Sequence, residues 1–164
     1  MPQPPIPYNF EIIGGFNNSY SFVTADKVRY EIRFVPSAYL FEDYLISHID
    51  GYEMIIAVAA SPNGSRLPAD PRTAPTISAI FYDFFTLYER VVIFICDSAD
   101  GRHEARARKF TSWYYNDVRP HYVKFDARIP DGAVSILISV ILHDQNTHFD
   151  DVVRIIRSLP YDTK

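Results

Sequence analysis

Apolar and polar positions alternate most strictly where Val28, Tyr30, Ile32 and Phe34 are interleaved with Arg29, Glu31 and Arg33. A period of two sends one set of side chains toward a core and the other toward water, so this stretch predicts a strand. Upstream, Tyr8, Phe10 and Ile12, and then Tyr20, Phe22 and Thr24, repeat the alternation on either side of the turn-rich Gly14 to Ser19. That arrangement predicts a β-hairpin. Tyr39 to Ile49 fits either a short helix or an irregular aromatic segment, and Glu53 to Ala60 is an apolar run of strand length.

The pattern then changes period. Thr76 is placed to cap a helix whose apolar positions Ile77, Ile80, Phe81, Phe84 and Tyr88 recur every three or four residues and share one face. Val91 to Cys96 is a continuous run of β-branched and aromatic residues, the composition of a strand covered on both faces. A second helix is predicted over Arg102 to Tyr115, with His103, Ala107, Phe110 and Tyr114 on its inner stripe. Val123 to Ile129 alternates, Asp131-Gly132 signals a tight turn, and Ala133 to Leu142 is nearly all apolar, which together predict a hairpin. Thr147 and Asp150 match a capping box before a last helix, with Arg154 and Arg157 suited to its end and Pro160 to its stop.

These elements predict an α+β fold: antiparallel strands at the N-terminus, one parallel crossover from Glu53–Ala60 to Val91–Cys96, a C-terminal hairpin, and about three helices packed on the sheet. The expected organisation is a proline-rich segment at 1–7, one domain over 8–160 and a short tail at 161–164. Between the strand at 53–60 and the first helix, Ser61 to Pro75 holds four prolines and reads as an exposed loop. Such a loop is either a tolerated surface insertion or a lid carrying Arg66, Asp70 and Arg72.

Composition narrows the setting. The 164 residues suit one core, and an aromatic content of 15% argues against disorder. A net charge of -4 disfavours general attraction to nucleic acid or to an anionic membrane. The single cysteine, Cys96, cannot form an internal disulfide, and Met1 to Pro7 has neither a basic n-region nor an apolar h-region, so a cytoplasmic location is expected. No apolar stretch approaches the roughly 20 residues of a membrane-spanning helix.

Candidate chemistry concentrates in one strand-to-helix turn, Cys96 to Arg106. Ligands favour the carboxyl ends of strands in open α/β sheets, where helix amides also point outward. Asp97, Ser98, Asp100, Arg102, Arg106 and, farther along the helix, Trp113 are therefore the candidate ligand-binding residues. A purely structural role carries the greater weight for several of them: Ser98 or Asp100 as a helix cap, and Asp97 as the ion-pair partner of Arg106. Cys96 reads as a buried packing residue, since an apolar strand suppresses thiol reactivity; a Cys-His enzyme would need His103, His121 or His143 brought close by folding.

Two other clusters have weaker signals. His143, Asp144, His148, Asp150 and Asp151 are metal-ligand types, but the histidines are five residues apart and the acids suit a helix start. Arg102, Arg106, Arg108 and Lys109 precede Trp113, Tyr114 and Tyr115 in the manner of a nucleic-acid surface, yet these rings fall on or beside the inner stripe and read as core. The glycine-rich phosphate and dinucleotide loops, the nucleophile elbow and the paired-cysteine zinc motif are absent from the sequence.

The segments Tyr20 to Thr24, Val91 to Asp97, Arg108 to Tyr114 and Ile138 to Asn146, in that order, resemble a Bacteroidota family known as a domain of unknown function. The resemblance implies a small, single-domain bacterial protein and brings no activity, cofactor or catalytic residue. The leading functional expectation is a non-enzymatic binding or regulatory domain for an unspecified protein or small-molecule partner. Its rivals are a metal-assisted phosphoryl-transfer enzyme using Asp97 and Asp100 with Arg102 or Arg106, and a toxin, immunity or phage-defence component.

Overall fold

The alternating stretches at the start of the chain become β1 (Glu11–Gly14), β2 (Ser19–Val23) and β3 (Arg29–Pro36). The computed structural model describes residues 3, 5–37, 49–64, 67–96, 103–117, 119–131 and 134–158, with backbone alone at 103–107, 116, 129–131, 134 and 135. The ambiguous segment at 39–48 thus lies outside the described residues, as do Arg66, Pro160 and the tip of the C-terminal hairpin at 132–133.

The apolar run after that segment forms β4 (Asp50–Ala60), which begins three residues before the expected strand. It is followed by α1 (Thr73–Phe84), β5 (Arg90–Cys96), α2 (His103–Asn116), β6 (Tyr122–Asp131), β7 (Val134–His143) and α3 (Phe149–Ser158). All the strands join one mixed sheet in the order β1-β2-β3-β4-β5-β7-β6. The β4–β5 pair is parallel, with Asp50 to Glu53 beside Arg90 to Ile93, and the remaining pairs are antiparallel. The expected α+β class and crossover are therefore present. Among the described residues, no helix is long and apolar enough to cross a membrane.

The pleat divides the sheet into two faces. Tyr20, Phe22, Ile32, Phe34, Met54, Val92 and Ile141 share a core with Ile77, Ile80, Phe81 and Phe84 of α1 and Phe110 and Tyr114 of α2. Val91, Ile93, Ala127, Val140 and Leu142 meet Val152, Ile155 and Ile156 of α3 on the other face. Val91, Val92 and Ile93 are all buried because β5 is covered on both sides, which its unbroken apolar sequence anticipates.

The helix boundaries correct several expectations. Thr76 is not the cap of α1: the helix starts at Thr73, Arg72 occupies the cap position without a side-chain cap bond, and Pro75 sits in the first turn, where a missing N–H costs little. Thr76 Oγ1 donates instead to Arg72 O and accepts from the Tyr8 N–H. Tyr88 falls beyond the end of α1 and is 48% exposed. The capping box of α3 does not form, since Thr147 gives both its N–H and its hydroxyl to Glu89. His148 O instead accepts the N–H of Val152 in the first turn, and Asn146 Oδ1 accepts from the His148 N–H.

The proline-rich loop is shorter than expected and its polar residues are fastened to the N-terminal segment. Tyr8 donates its hydroxyl to Asp70 at 2.6 Å, Asp70 accepts the Arg72 N–H, and Arg72 donates to the carbonyls of Ile6 and Pro7. The Arg72 guanidinium also lies 3.9 Å from the centroid of the Tyr8 ring. Asp70 and Arg72 therefore anchor a strap; they do not form the tip of a lid.

Candidate functional site

The site follows from where β5 ends and α2 begins. Cys96, the last residue of β5, is buried and stands opposite Leu137 of β7. Asp97, Ser98, Asp100 and Arg102 lie outside the described residues, and so does the side chain of Arg106, whose backbone is part of α2. α2, the helix that follows the connection from β5, borders a groove.

That groove, about 320 Å³, lies between α2 and the β6–β7 hairpin and is lined by Arg108, Thr111, Asp126, Arg128, Leu137 and Ser139, among others. Arg108 and Thr111 are three residues apart on α2 and share one flank of the helix. Asp126 and Arg128 are two apart on β6 and share a sheet face, with Ser139 directly opposite Asp126 and Leu137 opposite Arg128. Lys124 precedes them on the same face, which α2 covers.

The Lys124 side chain is only 2% exposed although its partner Asp126 is 64% exposed. Its ammonium donates to both Asp126 carboxylate oxygens, at 2.6 and 2.8 Å, and stands 5.9 Å from the Tyr115 ring of α2. Ser139 donates its hydroxyl to the same carboxylate at 2.7 Å. Asp126 is thus the hub of a fixed network with Lys124 and Ser139.

Tyrosine hydroxyls hold α2 over the sheet. Tyr114 donates to Tyr122 O, and Tyr82 of α1 donates to Asp117 O while Ser78 donates to the Asp117 carboxylate. Burial is the main cause that pushes the Tyr114 hydroxyl up to about 12, so it remains a donor at neutral pH. Trp113 projects from another flank of α2: it packs on the core beside α1 and lines a cavity of about 20 Å³ with Met54, Phe81 and Asp117. A volume of that size has room for roughly one water. The Lys109 ammonium lies 5.3 Å from the Trp113 ring.

The other clusters separate in space. His121 and His143 flank Asp144, with Nδ1 to carboxylate distances of 3.0 and 3.5 Å, while His148, just before α3, faces Asp151 in its first turn. Among the described residues, no group of three or more His, Cys, Asp or Glu side chains is placed to hold a metal ion. His143 pairs with Tyr122 and is six residues along β7 from Leu137, the partner of Cys96, so His121 and His143 are at the far end of the strand, roughly 20 Å away. Neither is placed to serve as a base for Cys96.

The groove residues Asp126, Arg128, Ser139 and Thr111, and Lys124 beside them, are not among the sequence candidates. Lys124, Asp126 and Arg128 read as the wet face of an alternating strand, and only their charge against the hydroxyl-bearing Ser139 hints otherwise. A family model described as a family of unknown function, DUF6169, matches residues 69–158. The chain belongs to this family. The DUF6169 match takes in α1, β5, α2, β6, β7 and α3, and hence every described wall of the groove, whereas β1 to β4 precede it. No curated protein and no solved structure matches the chain.

Proposed function

We propose that this protein is a non-catalytic binding domain, of the regulatory kind, whose ligand or partner enters the groove between α2 and the β6–β7 hairpin. The observation that carries this reading is a groove of about 320 Å³, lined by charged, hydroxyl-bearing and apolar side chains, whose β7 wall at Leu137 stands opposite Cys96 at the carboxyl end of β5, where the connection to α2 starts. Its volume is within the range of small-molecule sites, and strand ends of this kind are where α/β sheets commonly take ligands. Asp97, Ser98, Asp100, Arg102 and Arg106 belong to or follow that connection and are its proposed further contacts. A bacterial, cytoplasmic setting is proposed on the resemblance and on the single cysteine.

The test is thermal denaturation of the wild type and of Thr111→Trp, which fills the groove from a half-buried position on α2, against a panel of metabolites, nucleotides and uncharged fragments. A ligand at about 100 times its Kd stabilises the native state by about 2.7 kcal/mol, which raises Tm by about 5–10 °C for a chain of this size. The expected result is such a rise in the wild type and its loss in Thr111→Trp. Equal rises in both proteins, or none across the panel, contradict the proposal.

A further inference from the structure

We infer that the Asn63–Gly64 peptide unit is a site of spontaneous covalent modification, where the Asn63 carboxamide closes on the Gly64 backbone nitrogen and is converted to aspartate and isoaspartate. The site lies between β4 and α1, and the inference is independent of the binding role proposed above. Asn63 is the one asparagine of the chain that is followed by glycine. The Gly64 nitrogen must reach Cγ of Asn63, and a side chain on the second residue crowds that approach. Glycine removes the obstruction.

The local structure leaves the approach open. Pro62, Asn63 and Gly64 form an exposed turn just after β4, and Gly64 has φ +63, in the left-handed region that glycine enters at no steric cost. A Cβ built on Gly64 would meet no atom within 4 Å apart from its chain neighbours, so nothing is packed against the reacting unit. The Gly64 N–H reaches Ser61 O at 3.4 Å, longer than a usual N–H···O bond and therefore easily released.

Two other asparagines lack this freedom. The Asn18 carboxamide donates to Phe34 O, and the buried Asn146 donates to Tyr88 O and Glu89 O while accepting from the His148 N–H. Each precedes a residue with a Cβ, Ser19 or Thr147. Asp50-Gly51, which can close the same ring by losing water, is held in β4, where Gly51 is buried and pairs with Val91 of β5.

Water is the only co-reactant. The Gly64 nitrogen attacks Cγ of Asn63, the N–Cγ bond forms, the Cγ–Nδ2 bond breaks, and ammonia leaves with the former amide proton of Gly64. Water then opens the cyclic imide, breaking one C–N bond and returning a proton to the nitrogen. Opening at the side-chain carbonyl gives aspartate, and opening at the main-chain carbonyl gives isoaspartate. Either product adds a negative charge to a chain of net charge -4, and isoaspartate also lengthens the main chain of the turn by a methylene. Pro62, Asn63 and Gly64 belong to neither core, so the fold survives the conversion.

The experiment is incubation of the folded full chain at physiological temperature in mildly acidic and mildly alkaline buffer, beside a urea-unfolded sample, followed by mass spectrometry of tryptic fragments. The fragment 34–66 has Asn63 as its only asparagine, so replacement of NH2 by OH there reports this site. Expected is conversion in the folded chain within a few-fold of the unfolded rate, faster in the alkaline buffer because the attacking nitrogen must lose its proton, with Asn18 and Asn146 unchanged. Conversion should be lost in Asn63→Gln, whose longer side chain closes a larger ring, and slowed in Gly64→Ala. Circular dichroism confirms that both variants are folded. No conversion of Asn63 in the folded chain, earlier conversion at Asn18 or Asn146, or an undiminished rate in Gly64→Ala overturns the inference.

Discussion

Tyr52 shows how the environment of one side chain becomes a property of the whole fold. Burial, with a hydrogen bond to the Asp50 carboxylate, pushes its hydroxyl up to about 12, against an ordinary value of 10.0. Below pH 10 the group is protonated in both the folded and the unfolded chain, so it imposes no pH dependence. Above that the unfolded chain ionises first, and stability is lost as pH rises toward 12. Tyr114 adds a loss in the same window for the same principal reason, burial. Tyr52→Phe should therefore have a shallower fall of the urea midpoint than the wild type across this range. A fall of equal steepness would show that Tyr52 ionises equally easily in both states. None of this was legible in the sequence, where the expected strand began at Glu53 and left Tyr52 outside it.

At the scale of elements, apolar spacing was readable and polar partners were not. Ile77, Ile80, Phe81 and Phe84 are buried on one face of α1 as their spacing required. Thr76 and Thr147 look like caps in local sequence, but their hydroxyls are recruited by Tyr8, Arg72 and Glu89, and partners as distant as 68 residues leave no local trace. The same physics makes the N-terminal segment part of the fold. Asp70→Ala removes an acceptor shared by the Tyr8 hydroxyl and the Arg72 N–H, and should cost about 1–2 kcal/mol in urea denaturation. It should also expose the segment before β1 to limited proteolysis. Unchanged stability and cleavage would mean that the strap contributes nothing.

For the molecule as a whole, strand order decides what the sequence could not. Because β7 lies between β5 and β6, the hairpin presents Lys124, Asp126 and Arg128 to α2 on one face and Ala127 to α3 on the other. Alternation along β6 marks two faces, but it cannot distinguish a face bathed in water from one roofed by a helix, as the buried Lys124 illustrates. The end of β5 at Cys96 was legible in the sequence, whereas the groove depends on α2 and β6 meeting across the sheet. The DUF6169 match contains both walls of this chain's groove.

The most direct measurement is the amide NMR spectrum of the full chain titrated with the metabolite, nucleotide or fragment that raises the wild-type Tm most. The account predicts saturable shifts concentrated at 108–111, 126–128 and 137–139, lost in Thr111→Trp. Shifts centred instead on His121, His143 and Asp144, or an unchanged spectrum, would contradict it.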